Sequence, residues 1–293
     1  MNEVYVWDDL DEFEDNVSSL TGIHSVAFDD GSSIELEISG PVFDTRTRSI
    51  IVLFSGARRM NESLAWPVKA FTRILESNLP VVQIADPLLK SNPELELAWF
   101  TGKPEDNFND YLVDLIKSLQ RTTGKEILFA GGNGGGYAAL EFGRKFKGKS
   151  SVLTWDAHTD IYESPAKFVK PYLRAIIGVS NATLRREDWK DFCKKRTEQS
   201  IRTSVRSLET FTTPRRMVFL QQAGNSNFSQ QLVSFWKTAS SDELIIGTNH
   251  FDENRAIVLQ DFQKDGRRRY LKTVNLILQK MCFTDSYPNV IDH

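Results

Sequence analysis

Ile127-Leu128-Phe129-Ala130-Gly131-Gly132-Asn133-Gly134-Gly135-Gly136-Tyr137-Ala138-Ala139-Leu140 is the stretch that decides the reading of this chain. A short apolar run enters a glycine cluster and leaves as small, helix-compatible residues. That is the pattern of a buried strand turning sharply into a helix, with one side chain pushed out at the apex. Gly131-x-Asn133-x-Gly135 has the spacing of a nucleophile elbow, with Asn133 where Ser, Cys or Asp would attack. A carboxamide is a poor nucleophile, because its nitrogen lone pair is delocalised into the carbonyl. The spacing therefore predicts the fold and puts the reaction in question.

Upstream, residues 1–22 read as a short acidic arm, helical over 8–15, with Trp7, Leu10 and Phe13 as anchors at helical spacing. Two strands around Asp30-Gly31 follow, and Ile34-Glu35-Leu36-Glu37-Ile38 alternates apolar and polar residues. Asp-Gly between such runs signals a hairpin, and clean alternation suits a sheet edge with one wet face. From residue 50 the runs become continuously apolar. Strands are predicted at 50–54, 80–86, the elbow strand, 151–156, 217–222 and 244–248. Helices are predicted at 65–76, with Pro67 in its first turn, at 108–119, after the elbow and at 267–280. The result is an α/β chain with a mostly parallel, eight-stranded, doubly wound sheet and an antiparallel edge hairpin. Residues 161–215 carry helical patterns without a strand and read as a cap or lid. No linker separates independent parts, so residues 1–293 are expected to form one domain.

Chemistry in an open α/β sheet gathers beyond the carboxyl ends of the strands. Those ends supply Ser55-Gly56-Ala57-Arg58, Asp86, Asn133, Asp156, Asn225 and His250. The order nucleophile, acid, histidine puts His250 in the place of the base, after the strand at 244–248. Against this stands the plainer reading of a loop histidine bonded to backbone. The acid is expected after 217–222, where the chain has Ala223-Gly224-Asn225-Ser226-Asn227 and no carboxylate. Asp156 is the substitute, and Asp160 reads as a helix cap. The backbone N–H groups of Gly134 and of Ala57 (or Arg58) are the expected oxyanion hole. Asn133 leaves three explanations: a natural member that binds without acylating, an inactivated version of a serine enzyme, or deamidation of Asn133-Gly134 to Asp.

Beyond the elbow, the chain resembles a group of bacterial α/β-hydrolase-like proteins of surface-polysaccharide biosynthesis, related to acyltransferase-like proteins of accessory secretion systems. The residues that carry the resemblance are the elbow run, Asp86-Pro87, Ala98-Trp99-Phe100-Thr101-Gly102 and Thr159-Asp160-Ile161. It extends over about 50–251, and those proteins carry Ser at the apex. The resemblance implies a cytoplasmic protein acting on an ester, or transferring an acyl group, in glycan or cell-envelope metabolism. Its substrate would be a small acylated or glycan molecule, and a protein partner in envelope or polysaccharide biosynthesis fits that setting. Asn133 and Asn225 are the two departures.

Other signals are weaker. Asp156-x-His158-x-Asp160 alternates potential metal ligands, but no second cluster accompanies it, so no metal and no cofactor are expected. The glycines lack the Gly-Lys-Ser/Thr ending of a phosphate loop. Arg185-Arg186, Lys194-Lys195-Arg196 and Arg267-Arg268-Arg269 read as solvated helix faces. A net charge of −3 gives no global attraction to nucleic acid or anionic lipid. No window approaches a membrane span, and the acidic amino terminus is not a signal peptide. Two cysteines, Cys193 and Cys282, make no disulfide framework. Two functions follow: a serine esterase or acyltransferase silenced at Asn133, or a non-catalytic glycan-binding or partner-binding scaffold.

Overall fold

The computed structural model describes residues 3–58, 78–197, 199–225, 228–261 and 266–283. The helix expected at 65–76, Ser226-Asn227 and His293 lie outside the described residues. Ten strands form one sheet in the order β1-β2-β3-β5-β4-β6-β7-β8-β10-β9. They are β1 (Val4–Trp7), β2 (Gly22–Ala27), β3 (Ser33–Ser39), β4 (Ser49–Phe54), β5 (Val81–Ile84), β6 (Glu126–Gly132), β7 (Ser150–Trp155), β8 (Arg216–Gln222), β9 (Gly247–Asp252) and β10 (Arg255–Gln260). From β5 through β4, β6, β7 and β8 to β10 every neighbouring pair is parallel, whereas β2–β3, β3–β5 and β9–β10 are antiparallel.

Alternate residues of the central strands face opposite layers, which is why these strands read as unbroken apolar runs. Ile127 and Phe129 of β6 join one cluster with Leu112, Leu115, Ile116 and Leu119 of the helix Phe108–Thr123. Leu128 and Ala130 join the other, packed on Val274, Ile277, Leu278 and Met281 of the last helix, Gly266–Phe283. Burying a Leu or Ile side chain stabilises by about 1.5–3 kcal/mol, so these two layers fix the sheet between them.

Two parts of the sheet differ from the sequence-based expectation. The arm is helical about where expected, but ahead of the helix Val4–Trp7 pairs in parallel with β2, so the β2–β3 hairpin lies inside an added strand. Helix Leu10–Asn16 follows, with Asp9 accepting from the Glu12 amide and Phe13 fully buried. The second difference is at the other edge. The strand expected at 244–248 lies instead at Gly247–Asp252, with Ile245 and Ile246 64% and 62% exposed. The buried parallel strand is β10, whose Ala256-Ile257-Val258-Leu259 core is at most 3% exposed. β9 is its antiparallel hairpin partner, closed by Asp252, which accepts from the Asn254 amide.

Between β7 and β8 the chain is helical, as its patterning predicts. Its helices are Ala166–Ile177, Asn181–Leu184, Trp189–Thr197 and Leu208–Thr212. Among the described residues, no helix is long and apolar enough to cross a membrane.

Candidate active site

β6 ends at Gly132, Asn133 turns the chain, and the next helix runs Gly134–Gly143. Asn133 has φ 51° and ψ −118°, a strained conformation for a residue with a Cβ. Three backbone hydrogen bonds hold it there. Its N–H donates to Trp155 O at 3.1 Å, and its carbonyl accepts from the amides of His158 at 2.9 Å and Tyr137 at 3.3 Å. The glycines are explained by close approach. A Cβ on Gly135 would lie 2.2 Å from the Phe54 carbonyl oxygen, and one on Gly132 would strike the Trp155 ring. The cluster thus serves packing between strand ends and helix rather than a phosphate.

The Asn133 side chain is exposed and makes no capping bond to its own helix. Beside it runs the loop after β4, because Phe54 pairs with Gly131. A Cβ placed on Gly56 would come 3.8 Å from the Asn133 Cβ. Arg58 closes this loop from behind: its amide donates to Glu96 O, and its guanidinium donates to the carbonyls of Asn92, Pro93 and Leu95. The Arg58 amide is thereby already committed, and of the two expected loop donors only the Ala57 amide is not bonded to Glu96. Gly134 is the first residue of its helix, so its N–H has no intrahelical acceptor.

The expected base is not at this centre. His250 sits within the edge strand β9, paired with Ala256, and the register continues through Val218 and Leu153 to Ala130. It is therefore four strands from β6 and three residues short of the apex along the strand. At about 4.8 Å per strand and 3.3 Å per residue, that is about 20 Å from Asn133. The correction has a plain cause: the strand expected to be last is followed by β10. In the chain, Asp261 to Asp265 follow β10 and contain no histidine.

Asp156 does not serve a histidine either. It has φ 46° and is 7% exposed. Its carboxylate accepts from Gln221 Nε2 at 2.8 Å and the Gln222 amide at 3.0 Å, with Tyr270 and Asn225 also bonded to it. Burial raises its pKa, and the Gln222 amide bond opposes this. The group ties the ends of β7 and β8 to the last helix. Asp160 caps the short turn Ile161–Glu163 through the Tyr162 amide, as expected of it.

The histidine beside the elbow is His158. It is 2% exposed, and its Nδ1 accepts from the Trp99 indole N–H at 3.0 Å, with the Ser164 hydroxyl 2.9 Å from the same atom. An indole N–H only donates, so Nδ1 is the acceptor and the proton is assigned to Nε2. Burial lowers the ring pKa to about 4. Its accepting nitrogen is already used, which leaves it no lone pair for a proton from the apex. Trp99 and Phe100, both at positive φ, and Leu97, which covers Gly134, complete the floor. In the sequence, His158 reads only as a metal candidate. Its position two residues after Asp156, beside the elbow strand, is the clue the chain offers. Among the described residues, no group of three His, Cys, Asp or Glu could hold a metal ion.

No protein-family model matches the chain, and no curated protein does. Solved structures are similar in fold. Dipeptidyl peptidase 4 from Porphyromonas gingivalis is 8% identical with a TM-score of 0.55, over 89% of this chain and 35% of that one. An acylaminoacyl peptidase from Pyrococcus horikoshii is 10% identical with a TM-score of 0.51, over 89% and 41%. The propionate-bound esterase Est2 from Thermogutta terrifontis is 10% identical with a TM-score of 0.50, over 90% and 96%. The chain spans well under half the length of the two peptidases. The likeness is one of architecture, and the fold of this chain is the α/β-hydrolase fold.

Proposed function

We propose that this protein is a non-hydrolytic binding protein on an α/β-hydrolase fold. It would hold an acylated sugar against the exposed Asn133 and Ala57 at the elbow, and act in cytoplasmic glycan or cell-envelope metabolism with a protein partner. One observation carries the reading. Of the histidines among the described residues, His250 and His24 lie four strands from β6, and His158 has its accepting nitrogen on Trp99. Without a base, neither Asn133 nor a hydroxyl in its place is activated. The Gly134 amide and the loop at Ala57 remain suited to an ester carbonyl as hydrogen-bond donors, which binds without cleaving. The glycan and envelope setting rests on the resemblance in the elbow run, and the cytoplasmic setting agrees with two buried free cysteines. The test is ligand-induced thermal stabilisation by acetylated oligosaccharides, with recovery of the intact ester. Ala57→Trp, which puts a large ring beside the apex, should abolish the stabilisation; release of acetate by the wild type would overturn the reading.

A second reading, an acyl-transferring enzyme, is favoured by the strain at Asn133. A conformation costing about 1–3 kcal/mol is kept where a nucleophile would be presented. It requires a base supplied from outside the described residues.

A further inference from the structure

Charge is unevenly spread along the chain. Residues 1–45 contain twelve acidic residues and no Lys or Arg, whereas residues 161–215 contain twelve Lys and Arg against six Asp and Glu. A net charge of −3 hides this division. The basic excess concentrates on two helices that pack together, Ala166–Ile177 and Trp189–Thr197. Lys167, Lys170 and Arg174 recur at three- and four-residue spacing along the first, and Lys190 and Lys194 along the second. Lys170 reaches across so that its Nζ lies 5.0 Å from the centre of the Trp189 ring.

These rows are costly as helix design. Like charges three and four apart repel. Lys167 and Lys170 also lie near the amino-terminal end of their helix, where the dipole disfavours cations. Carboxylates do little to offset this. Lys190 lies 3.9 Å from Glu163, and Arg186 pairs with Asp188. Among the described residues, none forms an ion pair with Lys167, Lys170, Arg174, Lys194, Lys195 or Arg196. Instead the cations rest on rings: Lys170 and Lys190 over Trp189, Arg186 and Arg196 over Phe192, Lys167 over Phe168. Ring contacts restrict these long side chains without neutralising them, so less rotamer freedom is lost when an anion arrives.

We propose that the paired cation rows of Ala166–Ile177 and Trp189–Thr197 are a docking surface for an acidic polysaccharide, a carboxylate-bearing glycan chain. The polymer class rests on the glycan-binding reading above; the surface is formed by other residues than the elbow site. Other polyanions fit less well. Trp189 is buried and Phe168 and Phe192 are half-buried, and each has a Lys or Arg over its ring, so the rings are covered by cations rather than open for bases to stack on. The acidic amino-terminal region repels every polyanion, and repels duplex DNA most, at one charge per about 1.7 Å of axis. Among the described residues the helices between β7 and β8 show no exposed apolar face for insertion into lipid, Leu208 being the large exposed hydrophobic there.

The experiment is binding of the full chain to polygalacturonate, uncharged dextran, a short DNA duplex and phosphatidylglycerol vesicles, each titrated from about 50 to about 200 mM salt. Polygalacturonate is expected to bind, to weaken steeply with salt, and to be preferred over the other three. Lys167→Glu/Lys170→Glu/Arg174→Glu should weaken it at least about tenfold. Lys194→Glu/Lys195→Glu/Arg196→Glu provides an independent variant should the first misfold, and should weaken it likewise. Ala57→Trp should leave polygalacturonate binding unchanged, which separates this surface from the elbow site. The proposal is overturned by equal or tighter binding of DNA or vesicles, by no binding of polygalacturonate, or by unchanged binding in a folded variant of either row.

Discussion

Trp99 and His158, 59 residues apart in sequence, are joined by a hydrogen bond from the indole N–H to Nδ1 at 3.0 Å. The bond fixes the ring in a buried site where its pKa falls from 6.5 to about 4. The unfolded chain therefore takes up this proton first as pH falls. Stability from the neutral ring is intact above pH 6.5 and is lost progressively down to about pH 4, about 3 kcal/mol in all. Asp86, raised to about 6 by burial, acts in the opposite direction, and His24, lowered to about 4, in the same one. The comparison must therefore be with a variant. Urea unfolding at about pH 7 and about pH 4 should show His158→Gln losing about 3 kcal/mol less than the wild type between the two.

Strain at the apex makes a second prediction. Glycine adopts the Asn133 conformation without a Cβ penalty, so Asn133→Gly should stabilise the protein by about 1 kcal/mol. Asn133→Val should destabilise it by about 1–3 kcal/mol. Chemical denaturation checks both; equal stabilities would mean that the apex is relaxed.

The elbow glycines should be unequal to other glycines. Gly135→Ala drives a Cβ into the Phe54 carbonyl on a central strand and should cost about 3 kcal/mol or more. Gly224→Ala, with nothing within 4 Å of the added Cβ, should be nearly neutral. Thermal melts of the pair measure the contrast directly.

Removal of the edge-strand histidine should be silent. His250 is exposed on β9, so His250→Ala should change stability by less than about 0.5 kcal/mol. Thermal stabilisation by an acetylated oligosaccharide should likewise stay as in the wild type. Loss of that stabilisation would return His250 to the site.

The elbow was legible because its glycines answer a local demand: a strand, a strained apex and a helix in close succession, each close approach forbidding a Cβ. The central strands were legible because burial on both faces leaves continuous apolar runs. The edges were not. Val4–Trp7 is short and largely exposed, so nothing in its composition separates it from an arm. At the far edge, Ile245 and Ile246 imitate a buried strand while standing in solvent, and Ala256 to Leu259 are the residues that pack. That exchange moved His250 from a strand end to a strand middle. Asp156 and His158 were legible as residues but not as partners. Only the fold reveals that Gln221, Gln222 and Trp99 already occupy them.

Among the described residues the elbow has neither a nucleophile nor a base. Asn133→Ser tests it most directly, through p-nitrophenyl acetate turnover and fluorophosphonate labelling of the purified variant. The expected result is a rate equal to that of the wild type and no labelling, because no histidine among the described residues offers an accepting nitrogen to a hydroxyl at the apex. A rate about a hundredfold higher, with labelling at the apex and loss of both on adding His158→Ala or His250→Ala, would contradict it.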